Sequence, residues 1–232
     1  MFRHLKRWNI FALLFGITLS LTGCDVAQSL LGQTAPSTTS ATMLIYDAPV
    51  SLTIKTGTLL PGTTIAYNGK TASGAARVLL VGLEAPKKTG DTLDWQGSPV
   101  PNAQIKLTTR VLTFDDQSLT VAGTAHIELS NITIQPSGTQ GQVLIEFSAP
   151  VSYTLAKSQT IPGSNVSYLG MTAEGAQFGG VQGYAFRKQL DSLEYNGRVL
   201  PKVLLRLDLR VISFSNEGVV LGGTANIKLE TP

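Results

Sequence analysis

The sequence contains few of the residues that most catalytic and metal centres require. Among 232 residues there is a single cysteine, Cys24, and beyond residue 23 a single histidine, His126. One cysteine excludes a disulfide framework within the chain, and these counts exclude a Cys/His metal cluster. We therefore predict no metal site and no cofactor.

Charge is also scarce and unevenly placed. Asp, Glu, Lys and Arg make up 14% of the chain. The net charge of +3 comes from Arg3, Lys6 and Arg7, because without them 15 Lys and Arg remain against 15 Asp and Glu. A neutral remainder lacks the surplus of cations with which a protein surface binds phosphates. The composition therefore predicts no nucleic-acid partner.

The first 24 residues have the pattern of an export signal. Three basic residues precede an uncharged apolar run at 10–21, whose 12 residues are too few for a spanning helix of about 20. The run ends in the sequence LTGC at 21–24, which resembles the lipobox of bacterial lipoproteins. That resemblance covers residues 1–24 only. It implies cleavage before Cys24, a thioether diacylglycerol on its sulfur and acylation of the new amine.

A lipidated Cys24 would anchor the protein to a membrane, because each buried CH₂ contributes about 0.8 kcal/mol to the free energy of membrane binding. Two or more acyl chains together give a stable anchor. The following residues are rich in Ser, Thr, Gln and Ala. We therefore expect a signal peptide at 1–23, and a lipidated cysteine with a flexible tether at 24–42. The predicted location is a cell membrane, with the protein facing the periplasm or the exterior and membrane lipid as its first partner.

The rest of the chain contains an internal duplication of one unit. Residues 48–51 (APVS) recur at 149–152 with an offset of 101, which becomes 100 after a one-residue deletion. About 28 of roughly 80 aligned positions are identical, where chance gives about 5 or 6. We therefore predict a first β-domain at 43–130, a linker at 131–141 and a second β-domain at 142–232.

The periodicity of both units is that of β-strands. In residues 205–211 every second residue is apolar and those between are charged, which is typical of a half-buried strand. Residues 72–85 favour a helix by propensity, but their counterpart at 173–186 contains four glycines, so we predict strands in both. The predicted fold class is all-β, with two tandem homologous domains, each a β-sandwich or a small β-barrel.

Four aromatic residues at matched positions are candidate contacts for a ligand or partner. Trp95 and Tyr195 occupy equivalent positions, each two residues before a glycine. Tyr67 and Tyr168 are equivalent within a glycine-rich stretch. Such rings could stack on a sugar or on a partner's side chain. Alternatively, they could lie in the core or cover its end.

The residues that could catalyse a reaction have simpler explanations. His126 falls on the polar face of its strand, and no Gly-x-Ser-x-Gly sequence is present. Asp91 and Asp94, which have acidic counterparts in the second unit, could share acid and base roles at a glycosidic bond. At this spacing they more simply accept hydrogen bonds from backbone N–H groups. We therefore predict no catalytic residue and a protein that is not an enzyme.

The sequence favours one function and leaves two alternatives. We expect a non-enzymatic binding or structural module of the cell envelope, with an envelope protein or a polysaccharide as partner, since two similar surfaces allow avidity. The first alternative is a β-barrel carrier of a lipid or other apolar ligand, because glycine-rich strands can curl strongly. A hydrolase that uses the carboxylate pairs is the second.

Overall fold

The computed structural model describes residues 42–231, all within one compact unit of the chain. The predicted signal peptide, Cys24 and nearly all of the predicted tether lie outside these residues. Every regular element in the described range is a β-strand, so the predicted all-β fold is confirmed. The strands are β1 (Met43–Lys55), β2 (Thr58–Leu59), β3 (Ile65–Lys70), β4 (Ala76–Leu80), β5 (Leu83–Lys87), β6 (Trp95–Val100), β7 (Ala103–Phe114), β8 (Ser118–Ser130), β9 (Gln135–Pro136), β10 (Val143–Ala156), β11 (Ser167–Thr172), β12 (Gly175–Gly179), β13 (Phe186–Arg187), β14 (Ser192–Leu200), β15 (Val203–Phe214) and β16 (Gly218–Glu230).

Alternating burial explains why the long segments form strands. In β15, Leu205, Leu207 and Leu209 are buried, whereas Arg206 and Arg210 between them are exposed. Successive side chains of a strand point to opposite faces, so this sequence places one leucine row in the core and the charges in solvent. Burial of each such leucine stabilises the fold by about 1.5–3 kcal/mol.

Each half of the described chain contains one large and one small antiparallel sheet. In the first half (residues 42–130) the large sheet has the order β1-β8-β7-β6 and the small one β2-β3-β4-β5. In the second half (residues 131–231) the orders are β10-β16-β15-β14-β9 and β11-β12-β13. Within the described residues each sheet is open, with two edge strands, and none closes into a barrel.

Two segments whose secondary structure was ambiguous from the sequence contain β-strands in the structure. Residues 72–85 contain β4 and the start of β5, as the strand prediction required. The predicted linker at 131–141 contains the short strand β9, which pairs with the outer edge of β14. This connecting segment is therefore part of the second-half sheet.

The two halves share one hydrophobic core, in which β1 contacts β10 and β6 contacts β16. A Pro-Gly turn of each half lies against a leucine of the other. A Cβ built on Gly163 would lie 2.7 Å from Leu44 Cδ1, and one on Gly62 would lie 3.3 Å from Leu144 Cδ2. Both glycines have φ near +77° (76° and 78°), a turn conformation that favours glycine.

Candidate ligand-binding cleft

A cleft of about 960 Å³ opens on the second half of the molecule. Its walls come from the connecting segment around β9, from the loop after β12 and from β14. Four side-chain amides contribute to the lining: Gln135, Asn165, Gln182 and Asn196. Amides both donate and accept hydrogen bonds, so this surface suits a ligand with many hydroxyl or amide groups.

Tyr195 is the aromatic side chain of the cleft and is half-buried there. Its ring lies over Gly197 of the same strand, where a Cβ would come within 1.9 Å of the tyrosine Oη. Any larger residue at position 197 would therefore push the ring out of place. Burial raises the pKa of Tyr195, so its hydroxyl stays protonated and can donate a hydrogen bond at neutral pH.

Three charged side chains also line the cleft. Arg187 donates to the backbone carbonyl of Ser192 (2.8 Å), which fixes the start of β14. Arg206 pairs with Asp208 at 2.9 Å. The Glu194 side chain makes no hydrogen bond or ion pair with another described residue, but its charge adds to the raised pKa of Arg206, of which the hydrogen bond to Asp208 is the main cause. Because Asp208 neutralises Arg206, Arg187 is the guanidinium of the cleft that has no carboxylate partner among the described residues.

A buried ion pair holds the connecting segment in place. Arg198 on β14 and Glu230 on β16 form a two-point contact, with N–O distances of 2.7 and 3.2 Å, and their side chains are only 12% and 5% exposed. Glu230 also accepts the backbone N–H of Gly141 (2.6 Å), while Arg198 donates to the carbonyl of Ser137 (3.3 Å). The Arg198 guanidinium lowers the pKa of Glu230, which keeps the carboxylate charged.

Two smaller pockets, of about 300 and 150 Å³, share residues with this cleft. One shares Arg187 with the cleft and is also lined by Tyr184, which is 63% exposed and whose ring lies 5.4 Å from that of Phe186. The other shares Arg206 and is also lined by Lys228. We call the three pockets together the second-half groove.

The structure places the four aromatic residues predicted as contacts in different environments. Tyr195 lines the groove, and its counterpart Trp95 is half-buried, with its Nε1 donating to Thr64 Oγ1 at 3.2 Å. Tyr67 and Tyr168 are fully buried in the core. Their hydroxyls donate to backbone carbonyls in the β7–β8 and β15–β16 turns. Neither ring is accessible to a ligand in this structure, so these two residues are not part of the candidate site.

Three of the four carboxylates considered for catalysis accept backbone N–H groups, whereas the fourth, Glu194, lines the cleft. Asp91 accepts the backbone N–H of Lys88 (2.7 Å), and Asp94 accepts that of Thr109 (3.0 Å), as the simpler explanation predicted. His126 lies on the polar face of β8 between two carboxylates, as described below. Among residues 42–231 no group of His, Cys, Asp and Glu could hold a metal ion, and no helix is long and apolar enough to cross a bilayer.

Sequence reasoning considered Tyr195 and Glu194 of the cleft, the latter as an acidic counterpart of Asp94, but missed its other residues and the Arg198–Glu230 ion pair. A signal for the ion pair was present in the comparison of the two halves, because Arg198 and Glu230 stand where the first half has Ser98 and Ser130. Two serines replaced together by an arginine and a glutamate indicate a paired role. Tyr184 likewise stands opposite Glu84. No family model matches the chain, and no curated protein or solved structure is significantly similar to it.

Proposed function

We propose that this protein is a lipoprotein of the bacterial cell envelope whose second-half groove binds a polar polysaccharide. The observation that carries the proposal is the cleft, whose lining combines the Tyr195 ring with four amide side chains. Aromatic rings pack on the apolar face of a sugar, while amides and charged groups bind its hydroxyls. The two smaller pockets that share residues with the cleft would offer further contacts to a polymer.

The charges of the groove narrow the class of ligand. Arg206 and Lys228 are paired with Asp208 and Glu146, whereas Arg187 has no carboxylate partner among the described residues. A carboxylate of the glycan would supply that partner, since guanidinium groups bind carboxylates through charge-assisted hydrogen bonds. The polar lining favours such a ligand over the lipid that a carrier would hold.

The anchor and the duplication belong to the same proposal. Lipid on Cys24 would hold the protein at the membrane surface, with the groove within reach of envelope polymers. The two halves would be tandem copies of one β-domain. The recurring strand order and the matching registers, Ala48 opposite Ala125 and Ala149 opposite Ala225, support that history.

Radiolabelled palmitate tests the anchor in a bacterial host. We expect the label on the wild-type chain and none on Cys24→Ser, because the lipobox cysteine is the only thiol in the sequence. An unlabelled wild-type chain, in cells whose known lipoproteins are labelled, would contradict the proposed anchor.

Co-sedimentation with peptidoglycan sacculi tests the groove, because sacculi are an insoluble envelope glycan rich in carboxylates. We expect the wild-type protein to sediment and Tyr195→Ala to lose at least tenfold in apparent affinity. Trp95→Ala is the matched control, since it removes the equivalent ring outside the groove and should sediment as the wild type does. No sedimentation of the wild type, or equal loss in both variants, would contradict the proposal.

A further inference from the structure

The hairpin of β4 and β5 ends in an exposed apolar tip. Residues 79–83 read LLVGL, and the side chains of Val81 and Leu83 are 78% and 76% exposed. The equivalent residues of the second half, 179–183, read GGVQG and contribute to a wall of the cleft. The apolar tip is therefore not a requirement of the repeated fold.

Val81 adopts a backbone conformation that its side chain disfavours. Leu80 pairs with Leu83, so Val81 and Gly82 form a two-residue turn, and their φ values are +53° and +81°. Turns of this kind favour Asn, Asp or Gly at the first position, and a β-branched residue is an outlier there. Because the Val81 side chain is 78% exposed, contacts within the described residues do not offset this strain. Strain without an internal gain points to a contact outside the chain.

The shape and the charges of the tip fit a lipid bilayer. A two-residue turn is narrow and convex, so it presents far less surface than the roughly 800 Å² that each partner of a stable protein interface buries. The first charged side chains of the hairpin offset each other, because Arg77 Nε and Glu84 Oε1 lie 3.6 Å apart. Glu84 lies two residues beyond the turn, so the uncharged end is about 7 Å long at roughly 3.3 Å per residue. Interfacial segments enter a bilayer by about 5–10 Å, which matches this length.

The indole of Trp95 lies directly behind the tip. Its Nε1 donates to Thr64 Oγ1 at 3.2 Å, and the backbone carbonyl of Thr64 accepts the N–H of Val81, also at 3.2 Å. The ring is half-buried and packs against the core. Tryptophan is enriched at the boundary between lipid and water, because its ring is apolar and its N–H is polar. An apolar turn with an indole behind it is therefore the order of side chains that this boundary favours.

We propose that the tip of the β4–β5 hairpin inserts Val81 and Leu83 into the surface of a lipid bilayer. Transfer of these side chains from water into lipid supplies the gain that offsets the strain at Val81. Even a single acyl chain gives only reversible binding, so two side chains orient the protein at a membrane without anchoring it. The inference rests on residues 64–95 alone and requires neither a ligand in the groove nor lipid on Cys24.

A fluorescent probe on the tip tests the insertion in the complete chain. Cys24→Ser in every variant leaves the introduced cysteine as the only thiol. Leu83→Cys, labelled with an environment-sensitive dye, should shift its emission to the blue when vesicles of phosphatidylcholine are added. Leu112→Cys is the matched control, since Leu112 is 46% exposed on β7, five residues beyond the partner of Trp95, and its label should not shift. Unchanged emission at position 83, or equal shifts at both positions, would overturn the proposal.

Val81→Asn distinguishes the proposal from a purely structural role of the turn. Asparagine fits the positive φ, so we expect the ratio of folded to unfolded protein in urea to rise about fivefold. The same substitution should remove most of the blue shift of the label at position 83, because a polar amide is not stabilised in lipid. A variant that keeps the full shift, or one that is less stable than the wild type, would overturn the proposal.

Discussion

The hydroxyl groups of Tyr46 and Tyr153 are buried near each other, one from each half, where β1 contacts β10. Neither hydroxyl completes a hydrogen bond with another described residue. Burial raises the pKa of both tyrosines, and Tyr153 raises that of Tyr46 further. The two hydroxyls act on each other's pKa without completing a hydrogen bond, so their desolvation is only partly offset.

Removal of one of these hydroxyls should not weaken the fold. We expect Tyr46→Phe to leave the free energy of unfolding unchanged or to raise it by up to about 1 kcal/mol, since the hydroxyl has no partner to lose. Phenylalanine is already present at the equivalent position, Phe147. The measurement is urea unfolding at pH 7.

Tyr67→Phe is the matched control for that substitution. It removes the hydroxyl of an equally buried residue, and this hydroxyl donates to the backbone carbonyl of Asp115. We expect it to lower the free energy of unfolding by about 1 kcal/mol. A similar loss in Tyr46→Phe would show that the Tyr46 hydroxyl has a hydrogen-bond partner after all.

The Arg198–Glu230 ion pair should show strong coupling. Arg198→Ser alone should cost about 3 kcal/mol, because it leaves a buried carboxylate without its partner. Arg198→Ser with Glu230→Ser reproduces the serines of the first half and should cost clearly less than the sum of the two single changes. Additive costs in a double-mutant cycle would contradict the buried pair.

The same pair makes stability depend on acid pH. Because the pKa of Glu230 is lowered on folding, its contribution is fully present above the ordinary value of 4.5 and is lost as the pH falls through the lowered value. The difference in stability between the wild type and Glu230→Gln should therefore shrink below about pH 4.5. Thermal unfolding between pH 3 and 7 measures this difference.

His126 should titrate above its ordinary pKa. Its ring lies between Asp47 (2.7 Å) and Glu128 (3.1 Å), and the hydrogen bond to Asp47 is the main cause of the raised pKa. The gain in folding stability from protonated His126 is fully present below pH 6.5, its ordinary pKa. It is lost as the pH rises through the raised pKa of the folded state. It should not exceed about 1 kcal/mol, because the side chain is 40% exposed.

NMR titration of the His126 ring checks this prediction, with His126→Asn to assign the signal. Asp47→Asn should move the midpoint towards the ordinary value. A midpoint that does not move in that variant would show that Asp47 is not the cause.

Gly223 should not tolerate a side chain, although its neighbour Gly222 should. A Cβ on Gly223 would lie 2.1 Å from the backbone oxygen of Asp208, which cannot move without breaking the sheet. We expect Gly223→Ala to cost about 2 kcal/mol. At Gly222 the nearest atom is Ile212 Cγ1, at 3.4 Å, so Gly222→Ala should change stability by less than about 0.5 kcal/mol. Equal unfolding midpoints for the two variants would contradict the close approach.

Sequence alone predicted the strands because their signal is local. Alternating apolar residues and the turn chemistry of Asp115, whose carboxylate accepts two backbone N–H groups at 2.8 Å, depend on neighbours in the chain. The groove was not predicted, because it depends on the contact between Arg198 and Glu230, which are 32 positions apart. Tyr195 was found as a candidate, but nothing local distinguished its surroundings from those of Tyr67.

Amide exchange of the complete chain, with and without soluble peptidoglycan fragments, tests the proposed groove most directly. Our account predicts slower exchange in residues 134–137, 180–187 and 192–196 when the fragments are present. It predicts no change at residues 92–96, the first-half counterpart of the last segment. Protection outside the groove, or none at saturating fragment concentration, would contradict the assignment.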